Sequence, residues 1–587
     1  MTKTPAPHDS PAYPSPAIVD SRRLMGANLY SAQPGVVIRV VLDDTGGEAL
    51  IDGWLAYVGE LRVALGWPTL DVHVRPEVKG ATLFLAAPVD VLMTATEMNE
   101  QAWVAAEQGL LTRDVIDHLG MLAVAERASR ARMATAYTGA IARAINVSFD
   151  DELLTLGSGA RSQSWSLSSL PEELPWDVLG NVPVALVTGS NGKTTTTRLV
   201  AAMWRAAGFV AGWSCSDGVQ VGDVQLESGD YSGPAGARAI VRDARVQAAV
   251  LETARGGILR RGLAVSHAEA AIITNISADH FGEYGVETLG DLAEVKRVVV
   301  QVLGANGTLV LNADDAQLVA LAADVASRTA WFSARSDHAE LDAHVVRGHA
   351  AATIHDGRMM LHARGITHDL GAVDDMPIAL HGAAPYNVEN LLGAALLASQ
   401  LNIPLHAIRT TLASFGQLSS DNPGRLQVHH LGGVTVLVDY AHNPDGLRVL
   451  CETSASMPAK RRLLIMGQAG NRGDEAIRDL ARVAFAVIPF DHVVVKEMPM
   501  LLRGRAFGEI SAILVSELRG LGIPDEAISV APTETDAVRL ALAWANAGDL
   551  IVCPTHVDKA GVEALLQRLS EMRWTAGQPL PPETPAA

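Results

Sequence analysis

The chain has 587 residues, with 46 Lys+Arg against 65 Asp+Glu and a formal net charge of −19. That length predicts three or four domains, and 48% hydrophobic residues supply cores for them, which excludes wholesale disorder. The acidic balance argues against a general binder of nucleic acid or of an anionic membrane.

Residues 1–20 hold five prolines and little to bury, which predicts a disordered tail. No apolar h-region of a secretory signal is present there. An N-terminal α/β module is expected over 21–175. VVIRVVLDD (36–44) has the character of a strand, residues 47–66 have helical apolar spacing, and two further strands and two long helices follow. Ser, Gly and Pro in 150–180 predict a linker. A fully apolar strand at 182–188 opens a central unit, taken as 176–420, in which strands and helices alternate. That pattern predicts a parallel sheet covered by helices. Residues 421–575 repeat the pattern as a Rossmann-like, doubly wound domain. Residues 576–587 read as a second disordered tail. The fold class is therefore α/β. Cys215, Cys451 and Cys553 are too far apart for a disulfide framework or a thiolate zinc site, and no apolar run reaches the ~18–20 residues of a membrane helix. A cytoplasmic protein with no membrane partner is expected.

The strongest motif is VTGSNGKTTTT (187–197). A buried strand ends at Thr188, a turn with Gly189, Ser190, Asn191 and Gly192 follows, and Lys193-Thr194-Thr195 opens a helix. Glycines allow close backbone approach, and amides at the helix start point at phosphate oxygens. Lys193 would reach the β- and γ-phosphates of ATP, and the Thr194 hydroxyl would bind Mg²⁺. Val187 stands where the general phosphate-loop pattern has its first glycine.

Two more apolar strands end in chemistry. AAVLET (248–253) places Glu252 at its carboxyl end, and AAIITNI (270–276) leads into Asp279 and His280. Ligands of open α/β sheets gather at those ends, so Glu252 and His280 are candidate Mg²⁺ ligands beside the triphosphate. Surface or capping roles are the alternative.

These stretches resemble the Mur ligase superfamily, which makes amide bonds with ATP, and within it the Mur-ligase-like region of cyanophycin synthetases. LETARGGILRRGLA, TNISADHFGEYGVETLGDLAEVKRVV, NVEN, NPGRLQV, VDYAHNPDGL, GQAGNRGDEAIRDLA and LRGRAFGEI follow the phosphate loop in family order. The resemblance implies that Lys296 is the lysine many members carbamylate to hold a second Mg²⁺; a helix-surface lysine is the alternative. It implies nucleotide contacts for Asn387 and Asn390, with helix N-capping as the other reading. Asn312 in LNADD would face the nucleotide or serve a turn. Arg425 would reach ATP when the domains close, or form an interdomain salt bridge. Asp439 and His442 would face the nucleotide, or His442 would be a loop histidine. The catalytic set so implied is Lys193, Lys296, His280 and Arg425.

Three departures bear on substrate. Asn471 precedes Arg472 in the loop that shapes the amine site of relatives, and Met498 and Met500 stand where acidic residues would favour arginine. About 180 residues precede the phosphate loop, too few for the ATP-grasp domain of cyanophycin synthetases. RRLMGANLY (22–30) faintly resembles the start of those enzymes. The expected activity is an ADP-forming ligase joining an amino acid or other amine to an acidic, peptide-like acceptor through an acyl phosphate. A cell-wall or folate-polyglutamate ligase, or an inactive nucleotide-binding regulator, are the alternatives, and a homo-oligomer is left open. Residues 1–180 hold 13 basic and 22 acidic side chains. Such an acidic module counts against a diphosphate-sugar and favours a neutral or cationic acceptor.

Overall fold

The strand β1 (Ala17–Leu24) opens a four-stranded antiparallel sheet, with β2 (Gly35–Val41), helix α1 (Gly47–Ala64), β3 (Val72–Glu77) and β4 (Gly80–Ala86) in the order β1-β2-β4-β3. A computed structural model describes residues 16–42, 46–279 and 281–582. The tail expected over 1–20 thus gives way to strand at Ala17, and its residues 1–15 lie outside the described residues. Helices α2 (Leu92–Gln108), α3 (Arg113–Ser129) and α4 (Met133–Ala142) follow. The segment predicted as a linker instead contributes β5 (Val147–Phe149), β6 (Leu153–Leu156) and β7 (Gln163–Ser166), an antiparallel sheet. Leu154, Leu156, Leu167, Leu170 and Leu179 bury there against the module's core, so apolar burial outweighs the Ser/Gly/Pro composition.

The central domain runs β8 (Val184–Thr188), α5 (Lys193–Ala206), β9 (Ala211–Cys215), β10 (Gly218–Val221), β11 (Val224–Ser228), α6 (Pro234–Arg242), β12 (Ala248–Glu252), α7 (Arg255–Arg261), β13 (Ala268–Ile273), α8 (Leu289–Arg297) and β14 (Leu303–Asn312). It continues with α9 (Ala316–Ala322), β15 (Arg328–Phe332), α10 (Ala339–Val346), β16 (Ala351–His355), β17 (Arg358–Ala363), β18 (Ile366–Ala372), α11 (Pro385–Gln400) and α12 (Leu405–Ser414). Its eleven strands are ordered β11-β10-β9-β12-β8-β13-β14-β15-β16-β17-β18, parallel from β9 to β16 and antiparallel at both edges. The unbroken apolar runs are explained by two cores. Ala185 and Val187 face one, Val184 and Leu186 the other, so each side of the sheet is covered.

The third domain comprises β19 (Gln427–Leu431), β20 (Val434–Asp439), α13 (Pro444–Ser456), β21 (Arg462–Met466), α14 (Asp474–Val487), β22 (His492–Lys496), α15 (Glu509–Gly520), β23 (Ile528–Ala531), α16 (Glu534–Trp544), β24 (Leu550–Pro554) and α17 (Lys559–Glu571). Its sheet order is β19-β20-β24-β21-β22-β23, parallel except at β19. Past α17 the chain stays packed. Leu580 joins the core and Arg539 donates to the Pro581 carbonyl at 2.8 Å, so residues 576–582 of the expected second tail are packed. Residues 583–587 lie outside the described residues. All three cysteines are buried and unbridged. Among the described residues no helix is long and apolar enough to cross a membrane.

Candidate active site

In both doubly wound sheets the chain reverses direction at a central strand, and the site gathers there. β8 lies between β12 and β13, with Glu252 in register with Val187 and Ile273 with Thr188. The loop after β8 therefore emerges between two other strand ends. Gly189 (φ 145°) and Gly192 (φ 82°) have left-handed backbone, and a methyl on either would overlap Thr274 Oγ1 or Asn390 Oδ1. The loop is clamped in place, since Ser190 N and Asn191 N donate to the carbonyl and side-chain oxygens of Asn275 at 2.9 Å. Lys193 Nζ curls back to donate to the Ser190 carbonyl at 2.8 Å, across the space a phosphate would occupy.

Thr194 Oγ1 lies 2.9 Å from Glu252 Oε2 and 3.0 Å from Ser216 Oγ. Glu252 is 2% exposed. Burial pushes its carboxyl above the usual range, against the pull of Lys193 and Arg425. A desolvated carboxylate beside a hydroxyl is a hard-oxygen donor pair suited to Mg²⁺, which keeps waters and phosphate in its remaining positions. Among the described residues no group of three His, Cys, Asp or Glu side chains forms a ready-made cage. His280 lies outside the described residues. Its neighbour Asp279 accepts from Arg472 at 2.8 Å.

Lys296 is not a surface lysine. It is 3% exposed on the buried face of α8. Burial holds its amine far below the ordinary lysine range; Lys193 and Arg255 add to this and Asp279 opposes it. A neutral amine is the form that reacts with CO₂.

Asn387 and Asn390 do not cap their helix. α11 starts at Pro385, and Ala384 occupies the cap. Asn387 Nδ2 instead donates to the Ile378 carbonyl at 2.9 Å and Asn390 Nδ2 to Asn387 Oδ1 at 3.1 Å, which braces Asn390 against Gly192. Asn312 Nδ2 donates to Glu389 at 3.2 Å, and Glu389 is raised to about 7 by burial and by Asp314 and Asp445.

The third domain closes the site. Arg425 Nη2 donates to Ser216 Oγ at 2.9 Å and Thr194 Oγ1 at 3.3 Å, while its guanidinium lies 4.2 Å over the Tyr440 ring. Gly424 (φ 65°) and Leu426 (φ 47°) flank it in left-handed conformation, and Leu426 N is held by Asp439 Oδ2 at 2.7 Å. Asp439 thus lines the cavity and anchors the turn that aims Arg425. Burial raises the Asp439 carboxyl pKa, opposed by Arg425 and backbone donors. His442 Nδ1 is 3.2 Å from the Tyr440 carbonyl and Nε2 is 3.9 Å from Asp279. Burial lowers its pKa to about 4 although Asp279 opposes this.

Several site residues escape sequence reasoning. Asp217 receives Lys559 at 2.7 Å and Arg198 at 3.4 Å, and Lys559 lies 4.5 Å over Tyr440. Asn443 donates to Asn191 at 3.0 Å, and Asn191 donates to Asp445 at 3.0 Å. Only the ends of strands β9 and β20 hinted at Ser216 and Tyr440; no spacing signals Lys559, which lies 342 residues from Asp217.

One cavity of about 1770 Å³ joins the phosphate loop, Glu252, Lys296, Arg425 and Asp439; Asp217, Asn443 and Lys559 lie behind its lining. Every predicted site residue within the described set lines it, and the N-terminal module contributes Asp20, Ser21, Arg22 and Arg39. The module's acidic surplus favoured a neutral or cationic acceptor; the charged residues it turns to the cavity are two arginines and one aspartate, with Arg22 paired to Asp20 and Arg39 to Glu77.

Residues 187–398 match the family described as Mur ligase middle domain, and residues 424–554 match Mur ligase, glutamate ligase domain. A cyanophycin synthetase of Trichormus variabilis is 36% identical over 387 residues, 66% of this chain and 42% of that protein. One from Synechocystis is 35% identical over 380 residues, 65% of this chain and 43% of that protein. A UDP-N-acetylmuramoyl-L-alanyl-D-glutamate–2,6-diaminopimelate ligase of Chlorobaculum tepidum is 31% identical over 317 residues, 51% of this chain and 58% of that protein. The chain therefore spans less than half the length of the cyanophycin synthetases it matches. The two matched domains together take in more than half of the chain, the phosphate loop lying in one and Arg425 in the other: the chain belongs to the Mur ligase family.

Proposed function

We propose that the protein is an ATP-dependent carboxylate–amine ligase of the cytoplasm, joining an amino acid or other amine to an acidic, peptide-like acceptor. One observation carries this reading: Arg425 of the third domain reaches Thr194 of the phosphate loop, where Glu252 also converges. Lys193 and Arg425, from two domains, line the same cavity, which supports their sharing one phosphate group.

An acceptor carboxylate attacks the γ-phosphorus of ATP; the bond to the β-phosphate oxygen breaks, and ADP leaves. The amine then attacks the acyl phosphate carbon, phosphate departs with the bonding pair, and the amine loses a proton as the amide forms. Lys193 and Arg425 hold the charge that spreads over the transferring oxygens. Asp439 and the flanking left-handed turn position Arg425. Thr194 and Glu252, with His280 and Lys296 once carbamylated, would hold Mg²⁺, which would supply further charge neutralisation. The interdomain bonds of Arg472, Asn443 and Arg425 hold the third domain against the central one beside the reacting groups.

The test is ADP release with a panel of amino acids and acidic peptides, with the condensed product detected by mass. Lys193→Ala is expected to lower acceptor-dependent turnover by about 10³-fold. Undiminished turnover in that variant, or ADP release that no amine or acceptor stimulates, overturns the proposal and favours a nucleotide-binding regulator.

A further inference from the structure

Three cations meet on one carboxylate beside the phosphate loop. Asp217 follows β9, next to Ser216, and its side chain is 14% exposed. Its Oδ1 accepts from Lys559 Nζ at 2.7 Å and lies 3.9 Å from Arg425 Nη2, while Oδ2 accepts from Arg198 Nη2 at 3.4 Å. Arg198 belongs to α5 of the central domain, and Lys559 opens α17 of the third. Lys559 and Arg425 also share the Tyr440 ring, at 4.5 and 4.2 Å from its centroid. The Lys559 stem runs along the turn that carries Arg425, since a methyl on Gly424 would come 3.3 Å from Lys559 Cδ.

The order of these contacts is the reverse of what charge alone would select. A guanidinium pairs most strongly with a carboxylate, because two parallel N–H donors can grip both oxygens. Arg425 instead gives Nη2 to two neutral hydroxyls, Ser216 Oγ at 2.9 Å and Thr194 Oγ1 at 3.3 Å. Its Nε is buried without a hydrogen-bond partner among the described residues. The carboxylate it passes over is already taken, by Lys559 on Oδ1 and Arg198 on Oδ2. Burial would raise the Asp217 carboxyl, yet Arg425, Lys559 and Arg198 together hold it below the usual range, so it is an anion at neutral pH. Neither Asp217 nor Lys559 lines the cavity, so neither touches a nucleotide bound there.

We infer that Lys559 is a positioning residue for Arg425. By satisfying Asp217 it keeps the guanidinium turned to Thr194, where it can meet the triphosphate, instead of letting it collapse onto the carboxylate. This rests on the reading of Arg425 as a phosphate-holding group given above. Without Lys559, Asp217 would be a largely buried anion whose remaining bonded cation is Arg198 at 3.4 Å, and Arg425 at 3.9 Å is the next in reach. An ion left uncompensated away from water is costly, and moving Arg425 onto it relieves that cost at the expense of the phosphate loop.

The experiment is MgATP binding by calorimetric titration of the full chain, without acceptor or amine. Lys559→Met is expected to weaken binding about tenfold. Adding Asp217→Asn to it removes the competing anion and should restore binding to within about threefold of wild type. A clamp that only held the domains together would not be restored, because both partners of the ion pair are then gone. Arg425→Ala should cost much less in the Lys559→Met background than in wild type, since the arginine is already withdrawn. Lys559→Arg should keep most of the affinity that Lys559→Met loses. Where Lys559→Met fails to fold, Lys559→Gln takes its place in the same cycle. Undiminished binding without the Lys559 charge, a loss that Asp217→Asn leaves in place, or an equal cost of Arg425→Ala in both backgrounds overturns the inference. The expected cycle in a protein that never releases ADP with any acceptor would sustain the role of Lys559 and sink the ligase reading. Acceptor-dependent ADP release with no such coupling would do the reverse, and a wild type that binds no MgATP would overturn both.

Discussion

Gly192 sits with φ at 82° under the side chain of Asn390, and both facts bar a larger residue. Gly192→Ala is expected to cost about 1–3 kcal/mol locally and to weaken nucleotide binding, measured by calorimetric titration. Lys296 gives a second prediction. Its depressed pKa leaves more neutral amine near neutral pH, and the amine is protonated as pH falls. Activity should rise with added bicarbonate and fall on acidification, and intact-mass spectra should show one CO₂ adduct that Lys296→Arg lacks. Lys193, Thr194 and Glu252 were legible in the sequence because each stands at the end of a buried strand or the start of the helix after it. The burial of Lys296 was not, since a lysine in AEVKRVV reads equally as a solvated face. For Asn387 the alternative of a helix cap fails, because the helix starts two residues earlier, at Pro385.

The turn joining the central and third domains is an element with a defined task. Gly424 and Leu426 set its direction, and Asp439 holds it. Arg425→Ala should lower the rate by about 10²-fold, measured by steady-state kinetics with saturating ATP. The buried network of the third domain predicts acid sensitivity. Burial alone would raise Glu534, but Lys496 and His556 carry it down to about 2, while burial lowers His442 to about 4 and His556 to about 3. The histidines stay neutral in the folded protein and titrate near 6.5 when unfolded, so stability drops as pH falls from about 6.5 toward their folded values. The Glu534 contribution is present above its unfolded value of 4.5 and is lost as pH falls toward 2. Both act in one direction. The melting temperature should decline by several degrees between pH 7 and pH 4, and a flat profile by scanning calorimetry would contradict this. Element types were largely legible from periodicity. The 150–180 segment was not, because its buried leucines are spaced among residues that usually mark a loop.

At the scale of the whole molecule, the N-terminal module is bonded directly to the central domain. Asn146 bonds Ser266 N and the His267 amide and carbonyl, and Ala160 N donates to the Val246 carbonyl at 2.7 Å. A variant beginning at residue 182 would uncover these groups and part of the core that holds Ala27. It is expected to aggregate or lose cooperative unfolding, as judged by gel filtration and calorimetry. The two doubly wound sheets were legible because strand–helix alternation is a long-range repeat. The direction of the module's charge was not: a net count of residues 1–180 cannot say which face carries the arginines.

The three cysteines have a practical meaning. Cys215, Cys451 and Cys553 are sealed in the cores, and burial moves their thiols up to about 11, 12 and 12. Free thiolate is scarce at neutral pH, so the native protein should be nearly silent to maleimides. A cysteine added on the exposed surface of the third domain and another on α3 would accept fluorophores on that quiet background, and energy transfer between the two dyes would show whether the third domain moves when nucleotide is added.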